Sequence, residues 1–270
     1  MPSKSGIKKS IKKGEILLNN SKVEGGRHLK ENDVITLVDL ELTPPKPYPL
    51  KLNVIFEDEY LAVIEKPAGI SVSGNYFKTI QNALGFNIKK STQIDALPWA
   101  LPVHRLDHPT QGLLIVAKTK TARVKLGQAF ENKAIQKTYQ AVVIGKPKPQ
   151  GVIDFEIDQK PSVTEFKTIK TIQSLKNQYL SLVKFYPKTG RTHQIRIHCS
   201  KSGFPILGDK LYGKEGLILK HKGLFLCATE LQFTHPITNQ PLSFNLPTPY
   251  KFTARLKNEK RRFDDNKIAP

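Results

Sequence analysis

The sequence has few cysteines and no long apolar run. Its two cysteines, Cys199 and Cys227, are far apart and lack a CxxC partner, which argues against a disulfide framework and a cysteine-based zinc site. We therefore expect reduced, partly buried thiols. No apolar segment approaches the length needed to span a bilayer, and no apolar signal core follows the N-terminal lysines. These absences predict a cytoplasmic protein that makes no membrane contact.

Acidic residues are also scarce. Against 43 lysines and arginines there are 23 aspartates and glutamates, which gives a formal net charge of +20. A protein that neutralises phosphates releases condensed counterions, so this charge favours a polyanionic partner, and nucleic acid is the leading hypothesis. A basic surface can also bind membranes or simply keep a protein soluble. The charge alone leaves these alternatives open.

Residues 1–43 are predicted to form a small basic module. A short amphipathic helix should end at Gly14, and a strand, a turn and a returning strand should follow before residue 38. The helix carries the lysines that we expect to contact nucleic acid: Lys8, Lys9, Lys12 and Lys13. An alternative is a generic basic extension with a hairpin.

Residues 44–51 contain four prolines and are predicted to be an extended linker, and 251–270 a basic polar tail in solvent. Between them, residues 52–250 show mainly strand patterns separated by short turns, which favours an α+β fold with a largely antiparallel sheet. The predicted strands are 52–56, 60–65, 112–117, 137–144, 151–157, 165–172, 179–185 and 224–231. Thr119 and Thr192 are predicted N-caps of two helices that end near Asn132 and Gly203. Residues 75–98 give no clear pattern.

Two segments carry the candidate chemistry. His104-Arg105-Leu106-Asp107 lies just before an apolar run that begins at Gly112, so a carboxylate on a turn is held beside a buried strand. A carboxylate placed in this way is suited to act as a nucleophile or a base. The second segment, 190–198, is rich in hydrogen-bond donors at the expected start of a helix. His104 and His108 are four residues apart, but no HExxH glutamate or cysteine pair accompanies them, so we predict no metal site.

These segments resemble the signature motifs of RluA-type RNA pseudouridine synthases. The resemblance covers about residues 52–250 and extends, in the family's order, to Lys66-Pro67-Ala68-Gly69, to 137–141 and to 205–209. It implies a mixed, largely antiparallel sheet flanked by helices, and an isomerase that converts uridine to pseudouridine in ribosomal or transfer RNA without a cofactor. Residues 1–43 resemble the alpha-L RNA-binding motif, with a short first helix. Gln111 stands where the family usually has serine, a difference that bears on how the substrate is placed in the site.

The resemblance also implies roles for particular residues. Asp107 is the essential aspartate, Arg196 its charged partner, and Tyr139 the ring that stacks on uracil and assists proton transfer. Arg105 would enter the RNA stack where the target base leaves, because a planar cation offsets part of the cost of extrusion. Ile195 or Ile197 would wall the uracil pocket. The other predicted RNA contacts in this region are His104, Arg191, His193 and His198.

Two other functions compete with this one. A non-catalytic RNA-binding or ribosome-assembly factor could keep the same fold, although it would have no chemical need for Asp107, Tyr139 and Arg196 together. A phosphotransferase is suggested by the letters HRLD, but the sequence lacks the glycine-rich loop, the DFG segment and the P-loop. No obligate protein partner is evident from the sequence.

Overall fold

The computed structural model describes residues 4–38, 44–217, 219 and 222–268. The chain divides into two compact units, Met1–Pro44 and Pro45–Pro270. The predicted linker 44–51 thus belongs mainly to the second unit, where the Tyr48 amide donates to the Asn82 carbonyl at 3.0 Å. Within the described residues, no helix is long and apolar enough to cross a membrane.

The first unit contains one helix and a small antiparallel sheet. Helix α1 covers Lys4–Lys13, and strand β1 (Ile16–Leu18) pairs with β2 (Ser21–Lys22) and β3 (Ile35–Leu37). After α1, Gly14 adopts a φ of +74°, a left-handed conformation that glycine takes without strain. The predicted order of helix, strand, turn and returning strand is confirmed. The four lysines of α1 that are predicted to contact RNA are exposed: Lys8, Lys9, Lys12 and Lys13.

The second unit is built on a mixed sheet of ten strands. The strands are β4 (Asn53–Glu57), β5 (Leu61–Lys66), β6 (Ala96–Pro102), β7 (Gln111–Thr119), β8 (Gln136–Ile144), β9 (Gln150–Ile153), β10 (Thr164–Ser174), β11 (Gln178–Pro187), β12 (Leu226–Thr234) and β13 (Pro241–Asn245). Their order is β4-β5-β7-β12-β8-β11-β10-β9, with β13 paired to β12 and β6 to β7. Among these described strands, β7 and β12 pair in parallel and the other pairs are antiparallel. The α+β, largely antiparallel fold is confirmed.

Four helices flank the sheet. They are α2 (Ile80–Asn87), α3 (Lys120–Glu131), α4 (Gln194–Lys201) and α5 (Tyr250–Ile268). The start of α3 is as predicted, because the Thr119 hydroxyl accepts a hydrogen bond from the Ala122 amide at 3.2 Å. The prediction that Thr192 caps α4 is wrong. His193 occupies that position with a φ of +54°, and its side chain makes no capping bond.

Two further segments are helical. Helix α2 lies inside residues 75–98, which show no clear sequence pattern, and the Thr79 hydroxyl caps it by accepting from the Asn82 amide. The predicted solvated tail 251–270 is mostly helix α5, whose residues Phe252 and Leu256 are buried in the core. Phe252 and Leu256 lie four positions apart on one face of α5, but the many charged residues around them weaken the apolar pattern in the sequence.

Candidate active site

Asp107 lies in the loop between β6 and β7, at one edge of the central strands. The Thr110 amide donates to the Asp107 carbonyl at 3.0 Å and closes a tight turn. The Asp107 side chain is 18% exposed, so its carboxylate is reachable from a cleft while its backbone is fixed. This arrangement agrees with the predicted carboxylate on a turn before a buried strand.

Gly112, the second residue of β7, occupies a position that requires glycine. It adopts a φ of +121°, and a Cβ atom there would stand 2.2 Å from the Ala228 carbonyl oxygen. Ala228 is the partner of Gly112 where β7 and β12 pair in parallel. The absence of a side chain therefore brings β12 close to the Asp107 loop.

Arg196 extends from the buried helix α4 toward two carboxylates. Its Nε and Nη2 atoms donate to Oδ2 and Oδ1 of Asp209 at 2.7 and 2.8 Å, a bidentate pair. Its Nη1 atom lies 3.5 Å from Oδ2 of Asp107. Burial disfavours the charged guanidinium, but the hydrogen bond and charge of Asp209, together with Asp107, raise the pKa of Arg196. The cation beside Asp107 is therefore permanent, and it is placed to pair with this carboxylate.

Asp209 orients Arg196, and our sequence analysis did not single it out. Its side chain is 1% exposed, and Oδ1 also accepts from the amides of Leu211 and Tyr212 at 3.0 and 3.1 Å. Burial alone would raise the pKa of Asp209, but Arg196 and these amides lower it. The Tyr212 ring lies 5.1 Å from the guanidinium carbon. The available signal was the segment 205–209, which ends on Asp209 and is part of the family resemblance.

Tyr139 projects from β8 into a cavity of about 300 Å³ that also contains Asp107, here called the Tyr139 cavity. Ile195 and Leu226 form part of its apolar wall. Burial, followed by the negative charge of Asp107, raises the pKa of the Tyr139 phenol. The phenol is therefore protonated near neutral pH and can donate a hydrogen bond. Its ring also packs against two clusters of the core, which fixes its position.

Lys66 supports the Asp107 loop from beneath. Its ammonium group is fully buried and donates to the carbonyls of Pro67, His108 and Thr110 at 3.0, 3.3 and 2.8 Å. Burial lowers the pKa of Lys66 to about 8, although the charge of Asp107 opposes this shift. Lys66 is the first residue of the segment Lys66-Pro67-Ala68-Gly69, which is part of the family resemblance. The sequence does not predict its hydrogen bonds to the backbone of the Asp107 loop.

His193 and the two exposed arginines lie around the same cleft. The His193 Nε2 atom is 3.7 Å from Oδ1 of Asp107, and its Nδ1 atom is 3.0 Å from the Tyr212 hydroxyl. Arg105 and Arg191 are exposed and line the Tyr139 cavity. The structure thus brings Asp107, Tyr139 and Arg196 together with three of the nine predicted RNA contacts, namely Arg105, Arg191 and His193. The four lysines of α1 belong to the other unit.

Three predicted residues are placed differently. His198 is fully buried in α4, where its ring nitrogens lie 2.9 Å from the Ser162 hydroxyl and 3.0 Å from that of Thr164, so its predicted RNA contact is corrected. His104 lines the cavity, but its Nε2 accepts from the Ile115 amide at 3.0 Å, and burial lowers its pKa to about 3. A neutral His104 offers no charge to phosphate. Ile197 is outside the residues that line the Tyr139 cavity.

The described part of the chain offers no group of side chains for a metal ion. Among the residues that the structure describes, no three histidine, cysteine, aspartate or glutamate side chains form a group that could hold an ion. Both cysteines are free and buried, and burial raises the pKa of each thiol. The cofactor-free reaction stays a prediction. The arrangement itself can supply a carboxylate, a fixed cation and a protonated phenol in a mostly apolar cavity.

Comparisons with known proteins agree on one family. A family model described as RNA pseudouridylate synthase matches residues 60–201. An uncharacterized RNA pseudouridine synthase of Aquifex aeolicus is 34% identical over 278 residues, covering 93% of this chain and 87% of that protein. Ribosomal large subunit pseudouridine synthase C of Vibrio vulnificus is 34% identical over 281 residues, covering 90% and 84%. Human RNA pseudouridylate synthase domain containing 1 matches in fold, with a TM-score of 0.62, 24% identity, and coverage of 78% of this chain and 87% of that chain.

Proposed function

This chain belongs to the RNA pseudouridylate synthase family and is an isomerase that acts on RNA, and we propose that it modifies uridines of ribosomal RNA in the cytoplasm. The choice of ribosomal over transfer RNA is supported by the name of the Vibrio vulnificus relative, a synthase of the large ribosomal subunit. The excess positive charge of the chain fits a substrate with a dense phosphate backbone.

The observation that carries the assignment of roles is the contact between Arg196 and Asp107 beside the Tyr139 cavity. The isomerisation breaks the bond between N1 of uracil and C1′ of ribose and forms a bond from C5 to C1′. In the net reaction, C5 loses a proton and N1 gains one. In our proposal, Asp107 is the reactive carboxylate, and the guanidinium of Arg196 pairs with it and orients it. Asp209 is a positioning residue, since it acts through Arg196.

Tyr139 and Arg105 complete the proposed site. The Tyr139 ring would stack on the uracil, and its protonated phenol would donate a hydrogen bond or a proton at the base. The cavity retains the detached base so that it can rotate and be attacked at C5. Exposed Arg105 would fill the space that the extruded nucleotide leaves, which offsets part of an unstacking cost of a few kcal/mol.

An Asp107→Asn variant tests the proposal. We expect it to form no pseudouridine on large-subunit ribosomal RNA transcribed in vitro, while its affinity for that RNA stays within about tenfold of the parent because phosphate contacts dominate binding. The matched control is Asp158→Asn, which changes an exposed aspartate in a turn with φ +51°, a conformation that asparagine tolerates.

Mapping pseudouridines in ribosomal and transfer RNA transcripts, each treated with the parent protein, identifies the substrate. Conversion of transfer RNA alone would refute the ribosomal proposal. An Asp107→Asn variant that keeps more than a few per cent of the parent rate would refute the role of Asp107. A parent protein that binds RNA but modifies neither transcript would favour the non-catalytic alternative.

A further inference from the structure

A second cavity lies on the other side of Asp107. It has a volume of about 720 Å³ and is here called the Leu211 cavity. It shares Arg105, Asp107, His193 and Arg196 with the Tyr139 cavity. The two cavities therefore meet at the reactive carboxylate, and neither the isomerisation nor the proposed uracil site uses the second one.

The floor of the Leu211 cavity is shaped by two glycines. Gly208 adopts a φ of +78°, and a Cβ atom there would stand 2.1 Å from the carbonyl oxygen of Gly223. The backbones of Gly208 and Gly223 are therefore in direct contact, because neither residue has a side chain that would separate them. The next residue after Gly208 is Asp209, which holds Arg196, so the floor and the catalytic cation are fixed by the same turn.

The lining of this cavity combines apolar surface with positive charge. Val72, Leu211 and Leu224 supply the apolar part, and Leu211 is 67% exposed, so its side chain is open to a ligand in this cavity. Arg105 and Lys210 are exposed cations at the same cavity. The carboxylate of Asp209 is already neutralised by Arg196. A nucleotide matches this lining because it has an apolar base face and an anionic phosphate.

From these observations we propose that the Leu211 cavity binds a nucleotide that neighbours the target uridine in the same RNA strand. The inference rests on the proposed function, since a uridine held in the Tyr139 cavity brings its covalently linked neighbour to the shared wall at Asp107. The cavity volume lies within the range of about 300–1,000 Å³ that is typical of small-ligand sites. Leu211 would then be a specificity-determining residue that contacts the neighbouring base.

The test uses RNA stem-loops that carry the target uridine and an abasic residue at one flanking position at a time. For the parent protein, we expect one flanking position whose abasic form lowers kcat/KM by about tenfold, the scale of one base contact. Leu211→Ala should lower kcat/KM by a similar factor on intact RNA, mainly through KM. On the RNA that is abasic at that position, Leu211→Ala should change kcat/KM by less than about twofold, because the contact is already absent.

Two control variants separate a lost contact from a damaged site. Leu175→Ala truncates a leucine with 54% exposure in the turn between β10 and β11, outside the Leu211 cavity, and should match the parent on every RNA. Leu211→Met keeps the apolar volume and should stay within about threefold of the parent on intact RNA. A loss for Leu211→Ala that appears in kcat and is equal on all RNAs would show damage to the Asp209–Arg196 pair and overturn the proposal.

Two further results would overturn the proposal. In the first, Leu211→Ala has the same kcat/KM as the parent on intact RNA. In the second, the loss of kcat/KM in Leu211→Ala is the same whichever flanking residue is abasic. Both results require that the parent protein forms pseudouridine on intact RNA. A parent that forms none refutes the proposed function instead, so the two failures are distinguishable.

Discussion

At the scale of single residues, Lys66 shows how a buried charge can shape a catalytic loop without touching the substrate. Its three acceptors are carbonyl groups, two of them in the turn that follows Asp107. Carbonyl oxygens compensate only part of the hydration that a buried ammonium group loses, so the charged form is destabilised. The lowered pKa of Lys66, about 8, expresses this imbalance.

This imbalance predicts a pH dependence of stability. The unfolded chain keeps a lysine pKa of about 10.4, so between that value and the folded pKa the unfolded state binds a proton that the folded state lacks. Stability from this residue therefore rises with pH across that window. Relative to a Lys66→Met variant, the parent should gain up to about 3 kcal/mol of unfolding free energy between pH 7 and pH 10.5, as measured by urea denaturation.

The control for Lys66 is Lys90→Met, which changes an exposed lysine and should follow the parent at every pH. Parallel pH profiles for the parent and Lys66→Met would contradict the prediction.

The composition of the site was only partly predictable. Asp107 and Arg196 lie in two segments of distinctive sequence, and the structure places them 3.5 Å apart. Asp209 was missed because an aspartate after a glycine is typical of any turn. His198 was placed wrongly because its neighbours in sequence are polar donors, whereas the turn of α4 that carries it faces the interior. Such contacts depend on tertiary packing, which local spacing does not encode.

At the scale of elements, the site depends on the close approach of two parallel strands. Gly112→Ala places a Cβ atom against the backbone of Ala228 and forces a side chain into a left-handed φ. We expect it to lower the unfolding free energy by about 3 kcal/mol or more and to reduce activity, because the Asp107 loop must shift with β7. Urea denaturation and pseudouridine formation measure these two effects.

Gly127→Ala is the matched control for Gly112. Gly127 lies within α3, and nothing stands within 4 Å of the position of an added Cβ atom. Alanine in a helix is about 0.5–1 kcal/mol more favourable than glycine, so this variant should be slightly more stable than the parent and fully active. If Gly112→Ala and Gly127→Ala changed stability and activity equally, the contact between β7 and β12 at Gly112 would not have the role assigned to it.

The C-terminal helix makes a second prediction at this scale. Phe252 on α5 is fully buried, and its ring centroid lies 5.4 Å from that of Phe225. Phe252→Ala should lower the unfolding free energy by about 3–5 kcal/mol, the usual cost of a cavity of this size. Phe263→Ala, in the same helix but only half-buried, should cost less than about 1 kcal/mol. Similar small losses for both variants would support a solvated tail instead.

The strands were more predictable than the helices for a physical reason. Strands such as β5 and β7 are buried along most of their length, so their sequences contain nearly continuous apolar runs. Helix α5 buries only a narrow stripe, including Phe252 and Leu256, among many charged residues, and its pattern is weak. Helix α2 is eight residues long and contains a glycine, which also weakens a periodic signal.

At the scale of the whole molecule, the net positive charge lies mainly in the second unit. Residues 1–44 contain acidic side chains as well as lysines, so most of the net charge of +20 belongs to residues 45–270. The second unit should therefore bind RNA by itself, and the first unit should add a limited number of phosphate contacts through the exposed lysines of α1.

Deleting residues 1–44 should weaken RNA binding and flatten its dependence on salt, while the remaining protein still folds and modifies a minimal stem-loop. Each phosphate contact contributes about −0.7 to −0.9 to the slope of log K against log salt concentration, so loss of up to four contacts should reduce the slope by at most about 3–4. Replacing Lys8, Lys9, Lys12 and Lys13 together by glutamine should reproduce most of this change without removing the fold of the first unit. Titrations at several salt concentrations measure both slopes.

If the deletion left affinity and slope unchanged, the first unit would not be an RNA-binding element. If the deletion flattened the slope and the glutamine variant did not, the contacts would lie outside α1.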